Sequence, residues 1–178
     1  MKIAYKWKVV VIGEPTVGKT SLMLKYTEKK FNELYIPTVG VQVSVKQIPA
    51  KLETKKEKVF VDLNIWDIAG HEKFQHIRKI FYEGANAFLL LYDITNEATF
   101  EGCTYWVKDL RNIIGNQYGI LIGNKQDLGK ERVISEGKGE QKAVSLGLDF
   151  IETSAKTGAN IENVFETLTQ KLLTLYAE

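Results

Sequence analysis

A single cysteine, Cys103, stands in a chain of 178 residues, so no internal disulfide can form and the composition suits a reducing compartment. Cys103 itself reads either as a reactive thiol or as a small residue on the inner face of a helix. Long apolar runs are missing as well. The longest, Ala87–Tyr92, is far below the roughly 18 residues of a membrane-spanning helix, and the apolar part of Met1–Gly13 is too short for a signal peptide. Lys2 in place of glycine excludes N-myristoylation, and the C-terminal residues carry no cysteine for prenylation. The expectation is a cytoplasmic chain without an intrinsic membrane anchor. An excess of one charge is also lacking: 24 basic residues meet 22 acidic ones, a net charge of +2, which argues against a nucleic-acid partner. The densest basic cluster, Lys51–Lys58, is interrupted by Glu53 and Glu57 and reads as a solvated hairpin tip.

What is present is ordinary globular material, 44% hydrophobic and 26% charged, with neither repeats nor a linker. A single domain over residues 1–178 is expected. Short apolar runs alternate with amphipathic helical stretches, the pattern of an α/β fold with helices flanking a parallel sheet. Trp7–Gly13 reads as a buried strand and Thr20–Lys29 as a helix. Gly40–Ile48 and Lys58–Trp66 alternate apolar and polar residues and pair as an antiparallel edge hairpin. Ala87–Ile94, Gly119–Asp127 and Asp149–Lys156 each give a strand running into a loop. Helices are expected over Thr99–Ile113, from Ser135 to about Leu146 (weakened by Gly137 and Gly139), and after a cap at Asn160.

The stretch GEPTVGKT, Gly13–Thr20, matches G-x-x-x-x-G-K-[ST] between a strand and a helix. In that setting Glu14, Pro15, Thr16, Val17, Gly18, Lys19, Thr20 and Ser21 surround phosphates at a helix N-terminus, with every one of them except Pro15 able to offer a backbone N–H. Lys19 reaches the β- and γ-phosphates and the Thr20 hydroxyl meets Mg²⁺. Asn124, Lys125 and Asp127 of NKQD follow a strand, at the sheet edge where α/β folds bind ligands. A carboxylate at Asp127 accepts two hydrogen bonds from a purine bearing N1–H and a 2-amino group, which is guanine rather than adenine. Ser154, Ala155 and Lys156 of TSAK leave the next strand. The Ala155 N–H is the expected donor to guanine O6, and the stems of Lys125 and Lys156 cover the base faces.

In this order, GEPTVGKT, Thr38 in YIPTVG, DIAG, NKQD and TSAK resemble the Ras superfamily of small GTPases, with the likeness running from about Trp7 to Tyr176. The Rab branch is most similar, on Trp66 before the DxxG aspartate, FYEGA (Phe81–Ala85) and LLYDIT (Leu90–Thr95). The resemblance implies a P-loop G domain: a six-stranded, mostly parallel sheet with one antiparallel edge strand and about five helices. It implies GTP and GDP as ligands, Mg²⁺ held by Thr20, Thr38 and Asp67, and Phe31 and Tyr35 against the nucleotide. The Gly70 N–H senses the γ-phosphate, and Lys19, Thr38, Gly70 and the residue at position 71 form the catalytic set. Losing a phosphate then releases two loops and changes the surface. An exchange factor, an activating protein and effectors are expected on Phe31–Val43 and Gly70–Tyr82, with the protein itself a monomer.

Several residues depart from that pattern. Pro15 takes a position usually held by a small residue, where its ring would crowd an arginine supplied in trans. Ile68 replaces Thr, Val43 replaces an effector-facing Phe, and Phe81 replaces a Tyr. The Thr38–Asp67 segment is longer than usual, an extended hairpin tipped by LETKKE. The absence of C-terminal cysteines fits either a truncated chain or a relative without a lipid anchor. The largest departure is His71, where a glutamine usually orients the attacking water. Imidazole offers one donor and one acceptor on opposite sides of a rigid ring, so slow hydrolysis is expected. Adequate catalysis by His71 itself and a constitutively GTP-loaded scaffold are the alternatives.

Overall fold

The structure, a computed structural model, describes residues 3–32, 37–52 and 57–177. Its elements are β1 (Ile3–Gly13), α1 (Lys19–Glu28), β2 (Val41–Leu52), β3 (Glu57–Ile68), α2 (Arg78–Tyr82), β4 (Ala87–Asp93), α3 (Glu97–Glu101), α4 (Cys103–Ile114), β5 (Tyr118–Asn124), α5 (Glu136–Leu146), β6 (Asp149–Glu152) and α6 (Ile161–Tyr176). Short 3-10 turns at Glu72–Ile77 and Gln126–Glu131 lie between them. The six strands form one sheet in the order β2-β3-β1-β4-β5-β6. Only β2 runs antiparallel, against β3; the other described pairings are parallel. This is the expected α/β class with one antiparallel edge strand.

The continuous apolar runs of β1 and β4 follow from burial on both faces. Val9, Val11, Leu89 and Leu91 join a core with Leu22, Met23 and Tyr26 of α1 and Val164, Phe165 and Leu168 of α6. The alternate residues Val10, Ile12, Phe88 and Leu90 face Trp106, Val107 and Leu110 of α4. At the centre of the first layer the rings of Tyr26 and Phe165 lie nearly parallel, with centroids 3.7 Å apart, and bury two large apolar faces against each other.

Three expectations are corrected. β1 begins at Ile3 rather than Trp7, because the long β2–β3 hairpin carries β3 far enough to pair Ile3 with Phe60. The expected helix Thr99–Ile113 is two segments, α3 and α4, meeting at Gly102, and it starts two residues earlier because Asn96 caps the Thr99 N–H. Counted across that junction the described helices number five, as expected. Asn160 does not cap α6; it takes a left-handed conformation (φ 61) and its amide donates to the Glu152 carbonyl at 2.9 Å. Gly139 is in addition a packing requirement, since a Cβ there would enter the Phe150 ring and the Tyr92 hydroxyl. The hairpin tip at 53–56 and Tyr35 lie outside the described residues.

All five parallel strands end at one edge, at Gly13, Ile68, Asp93, Asn124 and Glu152. β1 sits where the chain's path reverses, with β3 on one side and β4 on the other. A ligand crevice belongs there.

Candidate functional site

A cleft of about 570 Å³ opens over that edge. At one end the loop after β1 folds tightly enough to force Thr16 to φ 69 and Gly18 to φ 101. A β-branched residue held left-handed costs about 1–3 kcal/mol and is tolerated chiefly at functional sites. Lys19 opens α1 with only 7% of its surface exposed, and its Nζ donates to the Glu14 carbonyl at 2.8 Å. Burial pushes its ammonium down to about 8, with Asp67 and Glu14 opposing the shift. Such a group gains strongly from an anion that replaces the water it has lost.

Beside it, the hydroxyls of Thr20 and Thr38 lie 2.7 Å apart, and both donate to Asp67 Oδ2, Thr38 at 3.3 Å and Thr20 more closely. Asp67 is fully buried and its second oxygen, Oδ1, has no hydrogen-bond partner among the described residues. Burial holds its carboxyl above the usual range, against the pull of Thr20, Lys19 and Thr38. Two hydroxyls converging on a carboxylate with an unsatisfied oxygen suit a small hard cation. Among the described residues no cluster of three His, Cys, Asp or Glu side chains forms a protein cage. A hard divalent cation that takes its remaining ligands from phosphate and water does not require one.

Gly70 follows on the same wall, packed so closely that a Cβ would lie 2.8 Å from Pro15 N and 2.9 Å from Glu14 C and collide with the Gly13 carbonyl. His71, at the start of the 3-10 turn, is exposed and lines the cleft with Pro15, Gly70 and Lys73.

At the other end, Asp127 is exposed and oriented by Ser154 Oγ, which donates to Oδ1 at 2.7 Å. Lys125 is left-handed (φ 70), and its Nζ is tied to Asp93 Oδ2 at 2.8 Å, which lays its stem along the cleft. Asp93 is fixed in turn by the Thr95 N–H and hydroxyl. Asn124 is 1% exposed and bolts three segments together. Its Nδ2 donates to the Val17 carbonyl at 2.9 Å, while its Oδ1 accepts from Thr153 Oγ1 at 3.0 Å and the Ala155 N–H at 3.2 Å. The Ala155 amide expected to meet a base oxygen is therefore already engaged by Asn124.

Pro15, Thr16, Gly18, Lys19, Thr20, Ser21, Phe31, Thr38, Gly70, His71, Asn124, Lys125, Asp127, Ala155 and Lys156 thus line one cleft. Glu14, Val17 and Ser154 stand behind its wall: Glu14 turns to Trp106, Val17 is wholly buried, and Ser154 holds Asp127. Asp93, Thr153, Trp106 and Arg78 were not legible as site residues. Of these Thr153, the first residue of TSAK, and Asp93, a carboxylate ending an apolar strand in LLYDIT, carried a sequence signal; Trp106 and Arg78 carried none as site residues.

A family model described as Ras family matches residues 8–174. The chain is 41% identical over 171 residues to Ras-related protein Rab-21 of Homo sapiens, covering 96% of this chain and 73% of that protein. It is 39% identical over 175 residues to Ras-related protein Rab-3 of Caenorhabditis elegans, covering 98% and 77%, and 37% identical over 171 residues to Ras-related protein Rab-8B of Homo sapiens, covering 96% and 80%. Matches of this length take in every strand end that builds the cleft, and the chain accordingly belongs to the Ras family as a Rab-like small GTPase.

Proposed function

We propose that the protein is a GTP-dependent regulatory switch, of the kind that governs trafficking or signalling, with slow intrinsic hydrolysis. The observation that carries this reading is the polarity of the cleft: Lys19, the Thr20–Thr38–Asp67 cluster and Gly70 at one end, and Asp127, Lys125 and Ala155 at the other. A nucleoside triphosphate has that shape, with its anionic tail and hydrogen-bonding base at opposite ends. Glu14 to Ser21 hold the phosphates, Phe31 and the Lys125 and Lys156 stems flank the base, and Asp127 reads its N1–H and 2-amino group. Thr20, Thr38 and Asp67 would hold Mg²⁺, which neutralises phosphate charge when bound. Phe31–Val43 and Gly70–Tyr82 are the faces for an exchange factor, an activating protein and effectors, on a single domain acting as a monomer in the cytoplasm.

In hydrolysis a water oxygen bonds to the γ-phosphorus as the β–γ bridging bond breaks, leaving GDP and inorganic phosphate. The chain's part is placement and charge: Lys19 on the phosphate oxygens, Gly70 N–H on the γ-phosphate, His71 beside the water. A ring whose donor and acceptor point oppositely aligns that water less well than an amide does. Single-turnover hydrolysis should rise about tenfold in His71→Gln, since roughly 1.4 kcal/mol of barrier follows from better alignment. A large loss in both His71→Gln and His71→Ala would make His71 the competent orienter. No turnover in any variant would favour the constitutively loaded scaffold.

The depressed Lys19 adds a pH signature. Its ordinary value is 10.5 and burial brings it to about 8; bound phosphates favour the charged form and raise it again. Between these limits binding takes up a proton, so affinity should decline as pH rises above about 8. Calorimetric titration with GDP at pH 7 and pH 9, in buffers of differing ionisation heat, reads the uptake directly. Equal affinity and no proton uptake at pH 9 would refute the assignment.

A further inference from the structure

We propose that Arg78, linked through Trp106 to Glu14, is a positioning residue that aims the Gly70 N–H at the γ-phosphate; this rests on the reading of the cleft as a GTP site. Arg78 is 2% exposed, and its guanidinium spends its donors on three successive carbonyls: Ala69 (3.4 Å from Nε), Gly70 (3.0 Å from Nη2) and His71 (3.1 Å from Nη2). None of the described salt bridges involves it. The carbonyl of one residue and the N–H of the next share a rigid peptide plane. Holding the Ala69 carbonyl therefore sets the direction of the Gly70 N–H, and holding the Gly70 carbonyl sets that of His71.

The clasp has a second anchor on the phosphate loop. The guanidinium carbon lies 4.2 Å from the centroid of the Trp106 ring, which is 1% exposed, and Trp106 Nε1 donates to Glu14 Oε1 at 3.1 Å. Glu14 is the second residue of GEPTVGKT, so one side-chain chain ties the loop that holds the phosphates to the loop that senses the last of them. Helix α4 is the shared platform. Its Tyr105 hydroxyl accepts from Gln75 Nε2 at 2.8 Å and its Asp109 accepts from the Tyr82 hydroxyl at 3.0 Å, which holds the segments on either side of Arg78. Lysine cannot replace this fork, because it has no planar face to stack and no fixed donor geometry.

Gly102 supplies a mild way to disturb the far end. A Cβ there would come 2.7 Å from Glu14 Oε1, the tip of a flexible side chain that can swing off Trp106 without moving the backbone. The experiment measures affinity for GDP and for a non-hydrolysable GTP analogue, with single-turnover hydrolysis, in wild type, Arg78→Lys and Gly102→Ala. In Arg78→Lys, analogue affinity and hydrolysis should each fall about tenfold with GDP affinity held within about twofold. Gly102→Ala should shift the same two readouts by about threefold, because only the Trp106–Glu14 bond is lost. Parallel loss of GDP and analogue affinity would reduce Arg78 to a structural residue and overturn the proposal, as would analogue binding and hydrolysis unchanged in both variants. Wild-type protein that binds neither nucleotide would instead overturn the GTP reading, before any substitution is compared.

Discussion

Gly70→Ala should lower single-turnover GTP hydrolysis by roughly 10²-fold or more, with GDP binding retained. The added methyl has nowhere to go. Its neighbours are the Gly13 carbonyl, Pro15 N and Glu14 C, all backbone of the phosphate loop and none able to swing aside. The Ala69–His71 segment must retreat, carrying the Gly70 N–H and His71 away from the γ-phosphate, and misplacement by about 1 Å is enough for a loss of that size. GDP lacks the phosphate that this segment meets, so its contacts with Lys19 and the loop survive. Rapid-quench hydrolysis beside GDP titration makes the comparison. Normal turnover in Gly70→Ala would show that the close approach is incidental. The same retreat should strain the Arg78 clasp, whose acceptors are those three carbonyls.

Asp127→Ala should cost GDP and GTP affinity about 3–6 kcal/mol, roughly 10²–10⁴-fold, as two hydrogen bonds to a charged acceptor disappear. Asp127 is exposed, but Ser154 holds one of its oxygens, so the carboxylate meets the base already oriented. The decisive control is inosine nucleotide, which lacks the 2-amino group. Wild type should bind it more weakly than guanosine nucleotide, and Asp127→Ala should no longer distinguish the two. Discrimination that persists in the variant would move base reading elsewhere in the cleft. Ser154→Ala, which leaves the carboxylate in place but less well held, should lose about tenfold.

The local chemistry of the site was legible because it sits in contiguous motifs. GEPTVGKT, DIAG, NKQD and TSAK each place backbone or side-chain groups through spacing alone, and the carboxyl ends of Gly13, Ile68, Asn124 and Glu152 deliver them to one edge. Even there, roles shifted on folding. Asn124 reads as a nucleotide-binding residue and lines the cleft, but its amide is also a three-way bolt between Val17, Thr153 and Ala155. Asn160 reads as a helix cap and instead reaches back to Glu152. A side chain's type fixes what it can bond, but several partners compete for a short amide, and only the assembled neighbours decide among them.

The same division applies to the molecule as a whole. Apolar period and loop motifs determined an α/β sheet with one antiparallel edge and a nucleotide cleft at its carboxyl edge, since both are properties of short stretches of chain. His71 was likewise visible as a departure by position alone. The tertiary structure decided everything carried by contacts between residues far apart in sequence: Trp106 with Glu14, Arg78 on the Ala69–His71 carbonyls by way of α4, and Asp93 beneath Lys125. Such contacts have no period and no spacing, because they depend on which helix face meets which loop once the core has closed.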